Sequence, residues 1–441
     1  MKRYDTYTES GISWIGKIPS HWEIRSLKSL LSTNYSGEWG NEPTPDNAYV
    51  CVRVADFNFN SNVVEFIDLP THRSYSTKDI QKKQLQNSDI LLEKSGGGDK
   101  TPVGRVVLWS KGEEASPFMC ANFIQVLRPK TNEVSSKYLL LLLSTLHIKD
   151  GIRLFIRQTT GIQNLTLRSY LAQSLYLPPQ EEQEAIVAYL DEKCAQIDRY
   201  VTSLEERIER LGELRQALIA EAVTRGINPQ APLRPSGIPW LGEIPKHWKV
   251  RKLSQLSLLH FKSNKEIQHQ NLLSLSYGRI IRKDVNTTFG LLPASYNTYQ
   301  IISEGNIVLR LTDLQNDKRS LRVGLCKEEG IITSAYLALE PRKNVLPEYL
   351  YLLLHSADIK KVFYGMGNGL RQNLNWSELR RLEVILPPLA EQEAIVAYLD
   401  EKTTQIDRYT GQLEEMIRQI KDLRQTIISE AVTGKICILP N

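Results

Sequence analysis

Part of this chain is written twice, and that repeat limits the architecture more than any other feature. The run Glu182 to Lys193 (EQEAIVAYLDEK) recurs residue for residue at Glu391 to Lys402, an offset of 391 − 182 = 209. The match opens on Pro178-Pro179 and Pro387-Pro388, and continues through Gln196 to Tyr200 (QIDRY) against Gln405 to Tyr409 and Glu221 to Thr224 against Glu430 to Thr433. A second pair, Gly11 to Trp22 (GISWIGKIPSHW) and Gly237 to Trp248 (GIPWLGEIPKHW), stands at an offset of 226. A long internal repeat fixes the order of parts. The chain therefore reads as a domain, a helix, a second domain and a second helix.

The helices follow from spacing. Val187, Leu190, Cys194, Ile197, Val201, Leu204, Ile208, Leu211 and Leu218 alternate steps of three and four, with Val396, Leu399, Thr403, Ile406, Thr410, Leu413, Ile417, Ile420 and Ile427 in the same register. This is a heptad seam. The proline pairs end the preceding strand, and Glu181, Glu182 and Glu184 suit the positive end of a helix dipole. From Val187 to Ala222 the rod is about 54 Å long at roughly 1.5 Å per residue. One rod cannot bury its seam alone, and a pseudo-twofold pairing with the other copy makes the two antiparallel. Arg215 and Arg424 interrupt the seam at equivalent places, where they either snorkel at its edge or fix register or a partner contact.

The expected architecture is α+β, with two pseudo-twofold-related α+β domains joined by two long antiparallel coiled-coil helices. The expected segments are 1–176, 177–226, 227–385 and 386–441. The two domain segments share a skeleton only. Val134 to Thr145 (VSSKYLLLLLST) resembles Val345 to Ser356 (VLPEYLYLLLHS), and Gln163-Asn164-Leu165 recurs as Gln372-Asn373-Leu374, while the remainder differs in sequence and length. One frame carrying two contents suits one task performed on two targets.

Charge separates the same parts. Residues 1–176 carry 21 basic against 17 acidic side chains and 226–385 carry 22 against 13, whereas 177–225 carry 6 against 11 and 386–441 carry 6 against 9. A polyanion meets the domains, not the helices. The five cysteines are scattered without metal-ligand spacing, which suggests reduced thiols. No run approaches the roughly 20 apolar residues of a membrane span, so a cytoplasmic protein with no membrane partner is expected.

Paired I-P-x-H-W starts, paired L-P-P-x-x-E-Q-E-x-I-x-x-x-L-D segments and long heptad helices at the middle and end closely resemble the specificity subunits of type I restriction-modification systems, over essentially the whole chain. The resemblance implies that each variable domain is a target-recognition domain reading half of a split, asymmetric double-stranded DNA target. It implies that the helices set the spacing and dock two methyltransferase subunits, alongside restriction motor subunits. The assembled complex would be an adenine methyltransferase and ATP-dependent endonuclease. With readers at both ends of a rod, half-sites about 10 base pairs apart are expected.

DNA reading needs cations for phosphates and forked polar groups for base edges. Strand-like Asp89 to Leu92 leads into Lys94, Ser95, Asp99, Lys100 and Thr101, then Arg105; Asn306 to Leu309 leads into Arg310, Asp313, Gln315, Asn316, Lys318 and Arg319, then Arg322. Gln163-Asn164 and Gln372-Asn373 either read adenine edges or cap the following helical turn. Arg53, Tyr277 and Arg279 flank short apolar strands and are further candidates. His21-Trp22 and His247-Trp248 read as packed framework. Gly96 to Thr101 is no phosphate loop, because Asp99 stands between the last glycine and Lys100.

Chemistry has no visible home in the chain. It contains no N-P-P-[YFW] tetrapeptide, no glycine-rich cofactor fingerprint after a strand, no Glu-x-Lys and no histidine cluster at metal spacing. A non-catalytic subunit with no cofactor is therefore expected. The rivals are a coiled-coil interaction or anti-restriction protein and a single-chain DNA-modifying enzyme.

Overall fold

The computed structural model describes residues 3–12, 15–98, 101–110, 116–158, 161–265, 270–283, 296–315, 321–366 and 373–439. The fold is α+β, and contacts divide it into two compact units, Met1–Ser203 with Glu415–Asn441, and Leu204–Glu414. Both long helices extend beyond the seam that announces them, the central one over Gln180–Arg225 and the C-terminal one over Leu389–Val432. Every seam position is buried or half-buried, while the residues between are mostly exposed, as an amphipathic pair requires.

In the first unit a six-stranded sheet runs in the order Leu31–Ser36, Ile124–Pro129, Ile90–Glu93, Val106–Leu108, Val63–Val64, Phe57–Asn58. In the second, four strands repeat the first four places: Ser257–His260, Leu337–Pro341, Ile307–Leu309, Val323–Leu325. The strand next to the centre, Ile90–Glu93 or Ile307–Leu309, is wholly buried, which explains why both read as continuous apolar runs. Beside each sheet lies a leucine-rich helix, Ser136–Ile148 or Pro347–Ile359.

These helices join the sheets to the long pair. The first unit's core includes Ile186 and Leu190 of the central helix together with Ile427, Ile428, Ala431 and Val432 of the C-terminal helix. In the second unit Ile219, Ala222 and Val223 meet Ile395 and Leu399 in the same way. In each unit, then, the start of one helix packs beside the end of the other, and the two run antiparallel. Tyr138 donates its hydroxyl proton to the Val432 carbonyl (3.0 Å), and Tyr349 to that of Val223 (3.1 Å). Burial pushes both phenols far above the ordinary tyrosine range, so both stay donors.

The repeated segments have mechanical explanations. Trp22 Nε1 donates to Glu182 (3.1 Å), His21 Nε2 lies 2.8 Å from the same carboxylate, and Tyr4 donates its hydroxyl proton to it. In the second unit Trp248 Nε1 donates to Glu391 (2.9 Å), with His247 at 2.7 Å. The next residue acts too: Gln183 accepts from the Ser135 N–H and donates to the Pro178 carbonyl, and Gln392 accepts from Leu346 and donates to Pro387. The Glu-Gln pair thus ties the first turn of each long helix to the I-P-x-H-W segment and to the start of the leucine-rich helix. At the far ends Gly226 (φ +77°) and Gly434 (φ +72°) terminate the helices in the left-handed region. A Cβ on Gly434 would come within 2.3 Å of Pro19.

The seam arginines face the other helix in both units. Arg215 pairs with Asp407 (2.5 Å) and Arg424 with Asp198 (3.5 Å), all four related by the 209-residue offset. This geometry supports the register reading over simple snorkelling, although partly exposed pairs contribute only about 0.2–1 kcal/mol each.

Candidate nucleic-acid interface

The two loops singled out in each domain are brought together by backbone pairing. In the first unit Ser95–Gly96 forms a short strand against Gln163–Leu165, which in turn pairs with Ile156–Gln158. Leu165 donates its N–H to the Lys94 carbonyl (2.8 Å), and Ser95 Oγ donates to Asn164 Oδ1 (2.6 Å). The second unit repeats the join: Leu374 donates to the Leu311 carbonyl (2.9 Å), and Asp313 N–H to Asn373 Oδ1 (2.8 Å). Gln163 and Asn164 are strand residues here, not helix caps, and in the second unit the cap of the following turn is Asn375, not Asn373. Gln163 is buried and accepts from the Val103 N–H, while Asn164 and Asn373 are exposed. Gly97 is held at φ +53°, where a Cβ would meet the Val103 nitrogen and Thr101 carbonyl at 2.8 Å, so the turn leading to exposed Thr101 requires glycine.

Several predicted contacts are occupied inside the fold. Arg53 donates three hydrogen bonds to buried Asp56, which raises its pKa. Arg105 forks onto Glu93 (2.7 and 2.9 Å), with its guanidinium 3.8 Å from the centre of the Phe59 ring. Lys94 is half-buried and donates to Ser36; burial lowers its pKa. These three cations position their loops. Arg322 goes further. It is fully buried and donates to the carbonyls of Arg310 (3.1 Å), Thr312 (2.9 Å) and Asp313 (3.3 Å), and from Nε to Tyr364 Oη (3.0 Å). The segment Arg310 to Asp313 is wrapped around a hidden guanidinium.

Half-buried Arg310 and Asp313 and exposed Gln315 form the described part of that loop. Asp99, Lys100, Asn316, Lys318, Arg319 and Gln372 lie outside the described residues. Tyr277 and Gly278, both at positive φ, make the two-residue turn of a hairpin, Leu273–Ser276 with Arg279–Arg282. Tyr277 is 78% exposed, and Arg279 is exposed beside it. Tyr351 donates to the Gly278 carbonyl from behind (3.4 Å). A bulky residue in the left-handed region is costly and is kept where the surroundings enforce it.

Sequence reading passed over Arg157, exposed on the strand whose register places it opposite Asn164. An arginine just before the Gln-Asn repeat was the available signal. Among the described residues no group of three or more His, Cys, Asp or Glu could hold a metal ion, and no helix is long and apolar enough to cross a membrane.

The family profile described as the type I restriction modification DNA specificity domain matches residues 19–210 and 245–419. The chain belongs to that family. The two matched stretches coincide with the two copies of the repeated plan. The chain is 23% identical to a putative type I restriction enzyme MjaX specificity subunit of Methanocaldococcus jannaschii, over 96% of this chain and 95% of that one. It is 22% identical to the type I restriction enzyme EcoKI specificity subunit of Escherichia coli K12, over 96% and 90%. Among solved structures, one of a type I restriction-modification system superposes with a TM-score of 0.65 at 16% identity, covering 94% of this chain and 98% of the other. The HsdS subunit from Thermoanaerobacter tengcongensis gives 0.51, also at 16% identity, over 95% and 98%. At that identity the structural likeness speaks for the fold, which in this specificity family is the duplicated α+β plan.

Proposed function

We propose that this chain reads an asymmetric two-part DNA target on behalf of catalytic partners and performs no chemistry itself. One observation carries the reading: a single frame, tied twice by the same Glu-Gln, His-Trp and tyrosine contacts, presents two loop sets with different residues. The base-reading groups are Asn164 with Ser95 and Thr101 in the first domain, and Asn373, Asp313, Gln315, Tyr277 and Arg279 in the second. Arg157 adds a phosphate contact. Arg53, Lys94, Arg105 and Gln163 act behind them. The family points to an assembled complex that methylates adenine and cleaves DNA with ATP, in which the paired helices set the distance between half-sites. Sequencing the methylated adenines of cells carrying this chain and its methyltransferase is expected to return one motif of two unlike halves around a fixed gap. An undivided motif, or none, would sink the reading.

The helices also suit two copies of one partner. Tyr200 (48% exposed) and Leu214 (48%) are matched at the 209-residue offset by Tyr409 (46%) and Leu423 (52%). Exposed apolar residues repeated at equivalent places fit a docking face used twice. Leu214→Glu and Leu423→Glu leave the seam untouched, so each alone is expected to reduce the methyltransferase subunits held per chain from two to one, and together to none. The mass of the purified complex reads this directly; two subunits retained by the double variant would exclude the face.

A further inference from the structure

We propose that the second unit holds an open seat for one tyrosine side chain of a methyltransferase partner, at the place that this chain's own Tyr4 fills in the first unit. The proposal rests on the partner docking described above. In the first unit Tyr4 packs against the rings of His21 (5.6 Å between centroids) and Trp22 (6.2 Å), and it donates its hydroxyl proton to Glu182. Three side chains thus close on that carboxylate, which is 3% exposed.

The second unit repeats the frame without the phenol. Its hairpin, Leu233–Pro235 with Glu243–Pro245, keeps the register of Tyr7–Glu9 with Lys17–Pro19 at the 226-residue offset, so Gln230 stands where Tyr4 stands. The bond from the Lys246 N–H to the Pro232 carbonyl (2.8 Å) repeats that from Ser20 to Thr6 (3.2 Å), which carries the match to within two residues of Gln230. Gln230 itself is exposed, its N–H held by Asn228 Oδ1 (3.0 Å) in a turn just past the central helix. What is left is a cavity of about 340 Å³, lined among others by Arg225, Ile227, Asn228, Pro245, His247 and Glu391. The uncovering shows in the burial. Glu391 has a side chain 41% exposed against 3% for Glu182, and Ile227, which follows the central helix, is 42% exposed against 5% for Ile436.

Chemistry and position choose the occupant. A carboxylate with one donor fewer than its counterpart, beside an isoleucine and a proline, suits a group that is apolar along its body and donates at its tip. A lysine would face Arg225 in the wall, whereas a phenol brings no charge. The volume lies at the small end of the roughly 300–1,000 Å³ of ligand clefts, room for one ring rather than a cofactor. Tyr409, on the proposed docking face, lies 409 − 391 = 18 residues from Glu391 along one helix. At 3.6 residues per turn that is five turns, so the two stand on one line about 27 Å apart. Two identical partners bring the same tyrosine; one finds the seat open, and the other meets Tyr4 already in place.

The test uses the full chain assembled with its methyltransferase subunits. A short diazirine side chain at Ala394, exposed in the cavity wall, is expected to attach on illumination to a tyrosine-containing peptide of one methyltransferase subunit. Replacing that tyrosine by phenylalanine should weaken one of the two methyltransferase-binding steps by about tenfold or more, the worth of a hydrogen bond to a charged group, and leave the other unchanged. Ala394→Trp, which plugs the seat, should weaken the same step. Gln230→Tyr, which restores the phenol within the chain, should do so too and raise the melting temperature of the free chain. Attachment to no methyltransferase peptide, or to one without tyrosine, would overturn the seat. So would unaltered binding in either chain variant. A wild-type chain that binds no methyltransferase at all would overturn the docking on which the seat rests, whatever the variants do.

Discussion

Exchanging residues 25–170 for the matching segment of another family member is expected to yield a complex that methylates a new sequence at one half of its target and keeps the other half unchanged. The segment contains the first domain's loops, Ser95 to Thr101 and Gln163-Asn164, and none of the second's. His21, Trp22 and Glu182, which tie the domain to its helix, stay outside it. Each wrong base pair costs about 1–3 kcal/mol, so three altered positions shift preference by roughly a hundredfold or more. The donor segment must supply a tyrosine at 138 and an N–H at 135, since those groups close on Val432 and Gln183. Sequencing methylated adenines before and after the exchange provides the readout. Change in both halves would show that the domains do not read separately.

The second large effect is expected at Arg322. Arg322→Ala removes the donors that hold the carbonyls of Arg310, Thr312 and Asp313, in a place where no water replaces them without opening the loop. Truncating one member of a buried charged network typically costs about 3–5 kcal/mol. Urea unfolding should show that loss in the second unit, and methylation should lose discrimination at the second half-site while the first is retained. Arg322→Lys is expected to rescue little, because an ammonium cannot fork to three carbonyls in a plane. Preserved stability and specificity in the alanine variant would mean that the loop holds its form by its own backbone.

Much of the architecture was legible because it is written twice. Twelve identical residues fixed the helix copies, and the heptad positions fixed which face each hides. Placing the site was harder, for a physical reason. An arginine binds carboxylate, carbonyl or phosphate with the same fork, so composition could not separate Arg53, Arg105 and Arg322, which are engaged within the fold, from exposed Arg157 and Arg279. Nor could spacing reveal that Ser95 and Asn164 share a ladder, since pairing across 69 residues depends on the whole sheet. The Gln-Asn repeats fit either readers or caps; in the first unit the pair lies in a strand with Gln163 buried and Asn164 exposed, and in the second Asn373 is exposed.

One consequence concerns the order in which the chain is made. The first unit takes Glu415–Asn441 into its fold, and Ile427, Ile428, Ala431, Val432 and Ile436 lie inside its core. On a ribosome adding about 5–20 residues per second, some 10–40 s pass between the emergence of residue 203 and that of residue 415. Through that interval the first unit to be synthesised waits with an open groove, while Leu204–Glu414 already contains all its own parts. The unit whose residues are made first is therefore the last to be finished, and a chain broken off before Ile427 loses part of the core of the unit that contains residues 1–203.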